Sequence, residues 1–153
     1  MTVSIRQASP IDAGAIAPLF DAYRQFYEQT PSIELAYAFI LSRMENAESV
    51  IFVAEDNARM IGFCQLYPSF CSVAAAPIFT LYDLFVTPSA RTSGAGRQLM
   101  LAVENHARTS GAVRLDLTTA KDNVRAQSLY ESLQWVRDDV FYTYNKGVLP
   151  AHE

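Results

Sequence analysis

Leu84-Phe85-Val86-Thr87-Pro88-Ser89-Ala90-Arg91-Thr92-Ser93-Gly94-Ala95-Gly96-Arg97 is the stretch on which the fold turns. An apolar segment runs into a short loop that holds an arginine and two glycines, and helical periodicity opens at once. Upstream, residues 78–86 are apolar on both faces except at Thr80 and Asp83, the signature of a central strand. Downstream, residues 94–110 place Leu99, Val103 and Ala107 on one helix face, and Gly111 stops the run. The first amides of a helix lack intrahelical acceptors and so bind anions, while glycines let a phosphate come close to the backbone. Physically the loop therefore reads as a pyrophosphate cradle or, equally, as a tight turn that uses glycines and leaves Arg91 solvated. No Gly-Lys-Ser/Thr follows, which excludes a Walker loop. Only two glycines are present, with Arg97 beside the second, so the dinucleotide fingerprint fails as well.

The remaining chain supports the same kind of domain. Residues 3–7 alternate briefly and predict a first strand. Ser9, Pro10 and Asp12 then have the arrangement of a helix start. Ile16, Leu19, Phe20, Tyr23, Phe26 and Tyr27 recur at three- and four-residue intervals, predicting one helix with an aromatic-rich buried face that ends before Pro31. Ser32 starts a second helix carrying Leu35, Phe39, Ile40 and Met44. Residues 50–54 and 60–67 predict a hairpin turning at Asp56-Asn57, followed by a loop over 68–77. After the glycine loop come a strand at 113–117, a helix at 123–133 and a last strand at 140–144. The order is β-α-α-β-β-β-α-β-α-β, an α/β (α+β) domain with a mixed sheet.

Composition narrows the classes. The chain has 153 residues, half of them apolar, with 12 basic and 16 acidic side chains for a net charge of −4. One domain over residues 1–153 is expected, with ample material for a core and no internal repeat or linker. No basic excess exists to neutralise phosphates, which argues against a nucleic-acid partner. No apolar run reaches the ~18–20 residues of a membrane span, and the N-terminus lacks a signal-peptide pattern. A cytoplasmic location follows as the expectation. Cys64 and Cys71 read as reduced thiols, and with only His106 and His152 no metal site is expected. His106 falls seven residues after Leu99, near the buried face of its helix, and reads as a packed side chain. Asp83 is the costliest residue to place, because a carboxylate inside an apolar strand demands a partner. It reads either as a functional group at an amine site or as a structural acid.

A second motif follows at a suitable distance. In Asn123-Val124-Arg125-Ala126-Gln127-Ser128-Leu129-Tyr130, the asparagine and tyrosine are about 700° apart around a helix and share nearly one face, with the small Ala126 between them. Asn123 can equally be a plain N-cap, and Tyr130 one of eight core tyrosines. Together, Arg91-Thr92-Ser93-Gly94-Ala95-Gly96 and this second segment resemble the GCN5-related N-acetyltransferase (GNAT) family. They match its Arg/Gln-x-x-Gly-x-Gly/Ala and Asn-x-x-Ala-x-x-Leu/Phe-Tyr signatures, over about residues 3 to 145. One departure is Gln134-Trp135, where the family usually has Gly-Phe.

The resemblance implies a GNAT fold: a central, mixed, mostly antiparallel sheet with flanking helices, splayed where acetyl-CoA enters. It implies that amides of Thr92, Ser93, Gly94, Ala95 and Gly96 hold the coenzyme A pyrophosphate, with positive charge from Arg91 and Arg97. Phe85 and Val86 would pair through their backbones with the pantetheine arm, and one of their amides would polarise the thioester carbonyl. Asn123 and Ala126 would line that arm. Tyr130 would protonate the departing thiolate, and Asp83 would take the proton of the amine or anchor its ammonium. Tyr23, Tyr27 and Tyr67 resemble the acceptor walls of the yeast-type histone/polyamine branch, although ordinary aromatic packing explains them equally. Glu28, Glu34 and Asp83 suit a cationic acceptor: a small amine, an amino acid or a protein lysine. A homodimer is expected by the same resemblance. The alternative is a non-catalytic acyl-CoA-binding or regulatory module. A nucleotide-binding module is more distant.

Overall fold

Apolar runs over 50–54, 60–67 and 78–86 require a sheet, and the helical stripes of 13–26 and 95–109 supply its cover. The computed structural model describes residues 2–150, so His152 lies outside the described residues. The elements are β1 (Ser4–Gln7), α1 (Ala13–Phe26), α2 (Ile33–Glu45), β2 (Val50–Asp56), β3 (Arg59–Cys71), β4 (Ala76–Val86), α3 (Ala95–Thr109), β5 (Leu115–Asp116) and α4 (Val124–Ser132). They fall into two units that divide after Thr118; the first holds β1 to β5 and α1 to α3, the second α4. In the first unit the sheet order is β1-β2-β3-β4-β5, antiparallel throughout except for the parallel pairing of β4 with β5. This is the α/β class with a mixed, mostly antiparallel sheet that the sequence predicts.

The β2–β3 hairpin closes on two residues. Asp56 pairs with Arg59, and Asn57 and Ala58 both have positive φ, at 50° and 66°. Two left-handed residues in succession make a type I′ turn, whose twist matches that of the flanking strands. The next hairpin is longer than the sequence suggests. Residues 68–77, predicted as a loop, instead continue β3 and β4 with Pro68 opposite Phe79 and Phe70 opposite Pro77. The reason is that β2 stops pairing at Val50 opposite Leu66. Beyond that point β3 has one neighbour, and a proline on an edge forfeits no ladder bond.

The predicted strand at 140–144 is absent, and the element order ends at α4. Val140, Phe141, Tyr142 and Tyr144 are exposed. Their β-branched and aromatic character favours extended backbone, but a strand also needs a ladder partner, and residues 140–144 form no ladder among the described residues. The strand predicted at 113–117 is likewise trimmed to Leu115–Asp116.

One core joins the helices to the sheet. Ile16, Leu19 and Phe20 of α1 pack with Ala36 and Ile40 of α2 over Ile51, Val53, Phe63 and Phe85 of the sheet. Each such large side chain contributes roughly 1.5–3 kcal/mol by leaving water. The aromatic stripe of α1 is shorter than its periodicity implies: the helix ends at Phe26, and Phe26 and Tyr27 are exposed. On α2 the buried positions are Ala36 and Ile40, while Leu35 lies outward and Phe39 stacks on Phe20 at 5.5 Å. On α3, Leu99, Val103 and Ala107 are buried as predicted. His106 packs against the rings of Phe52 and Phe79, at 5.6 and 5.5 Å.

Arg6 ties β1 to the turn before α1. Its guanidinium forks onto Asp12 at 2.9 and 2.8 Å and reaches Glu55 at 2.6 Å, and Asp12 Oδ2 also accepts the Ser9 amide at 2.9 Å. The Arg6 hydrogen bonds hold the Asp12 carboxyl down at about 2. A carboxyl depressed in the folded state stabilises above its unfolded pKa, and that contribution is lost as pH falls through the folded value. Arg6→Ala is therefore expected to lower the urea midpoint at neutral pH by the equivalent of about 1 kcal/mol, allowing for the exposure of the guanidinium. The gap to wild type should narrow between about pH 4 and pH 2. A gap that stays constant over that range refutes the assignment.

Candidate active site

Asp83 and Gln65 are directly opposite on β4 and β3, and the register shifts immediately beyond them, so that Leu66 pairs with Leu81 and Tyr82 is the extra residue. Such a bulge turns one residue out of the ladder and bends the strand. Here it exposes the Tyr82 ring and presents the Tyr82 carbonyl to the Tyr23 hydroxyl, which donates to it at 3.1 Å. Rings gather around this point. Tyr67 meets Tyr82 edge-on at 5.6 Å, and Tyr23 meets Tyr27 at 5.2 Å and Phe85 at 6.4 Å.

The Asp83 carboxylate lies beneath that cluster, 4% exposed. Gln65 Nε2 donates to its Oδ2 at 2.6 Å, and the Ser49 hydroxyl donates to Gln65 Oε1 at 2.7 Å. Burial pushes the Asp83 carboxyl above the usual carboxylate range, while hydrogen bonds from Gln65 and Tyr23 pull it back. Burial, and then the charge of Asp83, push the Tyr67 hydroxyl up to about 12 and raise that of Tyr23. These phenols therefore stay protonated at neutral pH and serve as donors. Glu28 and Glu34 stand apart from this arrangement as exposed side chains.

At the end of β4 the strand meets the glycine loop. Ser93 accepts the Ala95 amide at 3.2 Å, and Gly94 sits in the left-handed region at φ 85°, where a Cβ costs on the order of 1 kcal/mol. Ser93 thus holds the first amide of α3 through a turn that Gly94, at the N-cap position, makes without strain. The following amides of Gly96 and Arg97 belong to the first turn, which has no intrahelical acceptors for them. Arg91 folds back, donating from Nε to the Val86 carbonyl at 3.0 Å, with its guanidinium 5.6 Å from the centre of the Phe85 ring. Thr92 and Arg97 are exposed.

The backbone of β4 is one-sided here. Thr87 donates to Ile61 of β3 at 2.8 Å, so by strand alternation Phe85 also faces β3, whereas Val86 and Leu84 face the other edge. On that other edge β5 pairs only with Phe79 and Thr80. From Leu81 to Val86 no strand among the described residues fills it. Of the two residues named for a backbone contact, Val86 has the open amide and Phe85 is committed to the ladder.

In the second unit, Asn123 caps α4, its Oδ1 accepting the Ala126 amide at 3.3 Å. Tyr130 lies one turn beyond Ala126 on the same face. The helix closes with Trp135 donating to the Tyr130 carbonyl at 3.0 Å, and the two rings are 6.2 Å apart. Gln134 holds the left-handed position at φ 71°, the conformation for which the usual glycine is suited. Sequence reasoning missed Gln65 and Ser49. The signal was present, since Gln65 interrupts an apolar strand just as Asp83 does.

Comparison with known proteins identifies the family. The model of the Acetyltransferase (GNAT) family matches residues 16–135. The chain belongs to that family. It is 49% identical over 142 residues to an uncharacterized N-acetyltransferase, YhfO, of Bacillus subtilis (strain 168), covering 93% of this chain and 95% of the relative. A D-amino-acid N-acetyltransferase of Saccharomyces cerevisiae, HPA3, is 25% identical over 94% of this chain and 91% of its own. Among solved structures, the crystal structure of a probable acetyltransferase superposes with a TM-score of 0.91 at 35% identity, over 97% of this chain and 99% of that one. The protein is an acetyltransferase of the GNAT fold.

The strained turn after α4 gives a direct check on the local geometry of this acetyltransferase. Gln134→Gly removes a Cβ from a left-handed position and is expected to add about 1 kcal/mol, or about 2–4 °C in the unfolding midpoint. An unchanged or lowered midpoint contradicts the turn.

Proposed function

We propose that this GNAT acetyltransferase moves the acetyl group of acetyl-CoA to a primary amine by direct transfer in a ternary complex. The observation that carries the reading is a single strand end, that of β4. A buried carboxylate lies on one face of it, an open backbone edge runs along it, and an anion-binding helix start follows it. Thr92, Gly94 and Gly96 offer amides to the pyrophosphate, with Arg97 adding charge, whereas the amides of Ser93 and Ala95, also expected there, already donate to the Ala90 carbonyl at 3.0 Å and to Ser93 Oγ at 3.2 Å. Arg91 reaches the same loop while holding the Val86 carbonyl. The Val86 amide is the donor suited to the thioester carbonyl.

The acceptor ammonium gives a proton to Asp83, directly or through water, and attacks as the neutral amine. Its nitrogen lone pair forms the C–N bond to the thioester carbon, the C–S pair leaves on sulfur, and the sulfur takes the hydroxyl proton of Tyr130. The second amine proton restores that hydroxyl, so one proton is released to solvent overall. The role of Tyr130, like the contacts of Asn123 and Ala126 with the pantetheine arm, rests on their shared motif. Tyr23, Tyr27, Tyr67 and Asp83 suit an acceptor with a cationic amine flanked by apolar surface. Amino acids belong on the acceptor panel, given the name of the yeast relative. The family resemblance supports a homodimer, which light scattering tests.

Acetyl-CoA binding by calorimetry, together with thiol release across amines, amino acids and basic peptides, tests the proposal. Asp83→Asn should lower kcat about 10²-fold or more while the Kd for acetyl-CoA stays close to that of wild type. Tyr130→Phe should likewise lower the rate far more than the affinity. Because burial raises the Asp83 carboxyl, the acid limb of the rate profile should lie above the ordinary carboxylate range. Binding without turnover of any acceptor favours the acyl-CoA-binding module, and absence of binding overturns the reading.

A further inference from the structure

Gln65 belongs to neither sequence motif, yet it is fully buried, at 0% exposure. It bridges Ser49 and Asp83 by hydrogen bonds of 2.7 and 2.6 Å. A primary amide has two unlike ends, and here both are specified. An oxygen turned toward an ionised carboxylate oxygen would set acceptor against acceptor, whereas the amide N–H can only donate. At the far end Ser49 supplies the donor that Oε1 needs. The chain Ser49 to Gln65 to Asp83 therefore runs in one direction, with every hydrogen pointing toward the carboxylate. The amide occupies Oδ2 of Asp83, and the Tyr23 hydroxyl is the other group that bonds the carboxylate.

We infer that Gln65, oriented by Ser49, is a positioning residue for Asp83: it locks the carboxylate rotamer from which Asp83 takes the proton of the acceptor amine. The inference rests on the proposed reaction for the use made of Asp83, but not for the hydrogen-bonded chain itself. It also accounts for a buried amide in the middle of β3, which an apolar residue of similar volume would replace at no cost to the core if packing were its only task. The titratable groups that sense Asp83 are Tyr23 from α1 and Cys64 and Tyr67 from β3. Each is held protonated through the neutral range, Cys64 and Tyr67 by shifts up to about 12. A titration in the acid-to-neutral range therefore reports Asp83 alone among them.

The test uses the full chain carrying Gln65→Leu or Ser49→Ala. The Asp83 carboxyl is titrated by carbon NMR, with Asp83→Asn to assign its signal, and kcat is followed against pH with an accepted amine. Gln65→Leu removes a hydrogen bond to the charged form and should raise the Asp83 midpoint by about one pH unit. The acid limb of kcat should move with it, and the plateau rate should fall about tenfold as the carboxylate loses its fixed geometry. Ser49→Ala leaves the core volume of Gln65 intact and should shift both in the same direction by less. It carries the test alone if Gln65→Leu fails to fold. Midpoints that coincide with wild type overturn the positioning role. A shifted midpoint in a chain that acetylates no amine leaves the relay standing and overturns the reaction instead. An unshifted midpoint in an active enzyme overturns only the relay.

Discussion

A carboxylate taken almost wholly out of water is the constraint around which the β3–β4 pair is built. Desolvating an ionised group costs several kcal/mol unless partners replace the lost hydration. Asp83 receives its replacement from across the ladder, where Gln65 faces it in register. That partner is itself buried and needs Ser49 to satisfy its far end. The cost of one charge thus propagates through three side chains, on β4, on β3 and just before β2. Register is fixed by the same requirement. A one-residue slip of β4 against β3 would turn Asp83 to the opposite face and leave both Gln65 and Asp83 unpaired.

The bulge beside this pair serves packing and site together. By turning Tyr82 out of the ladder, it leaves a backbone carbonyl that the Tyr23 hydroxyl of α1 satisfies at 3.1 Å. The aromatic cluster over the carboxylate is therefore anchored to the helix layer as well as to the sheet. Further along, β3 and β4 approach closely because residue 62 is glycine. A Cβ there would lie 3.0 Å from the Phe85 carbonyl and 3.2 Å from Val86 Cγ2. That approach keeps the last residues of β4 on β3 and directs their remaining backbone groups to the open edge. An unpaired edge is ordinarily an aggregation liability. Here it is short, bent by the bulge and bounded by the glycine loop, with the Val86 carbonyl already engaged by Arg91.

Much of this was legible in the residues. An apolar strand running into an Arg- and Gly-containing loop and then a helix identified both the central strand and the anion-ready helix start. The order of elements up to α4 followed from periodicity. Three features were hidden for physical reasons. Prolines at 68 and 77 read as breakers, because a single sequence does not reveal where the neighbouring strand stops and an edge begins. The apolar run at 140–144 read as a strand, because propensity is local whereas a ladder partner is not. Gln65 passed unremarked because its meaning depends on the residue opposite, which only the register supplies. The site motifs were local and visible; their second layer is a product of pairing across the sheet.

The chain breaks ordinary rules in two distinguishable ways, and the difference bears on function. Ala58 and Gln134 hold left-handed backbone without being glycine, each in a turn, and neither side chain takes part in the proposed chemistry. Such strain is of order 1 kcal/mol, is removable by a single substitution, and reflects only that natural sequences are not at their stability optimum. Asp83 and Gln65 break a stronger rule, since both are buried polar groups in strands that are otherwise apolar. They are fully partnered, close together, and placed beside the open edge of β4. Scattered violations with cheap remedies are what drift leaves behind. A clustered violation, supported on every side by hydrogen bonds that a simpler core would not need, is what a retained chemical task leaves behind.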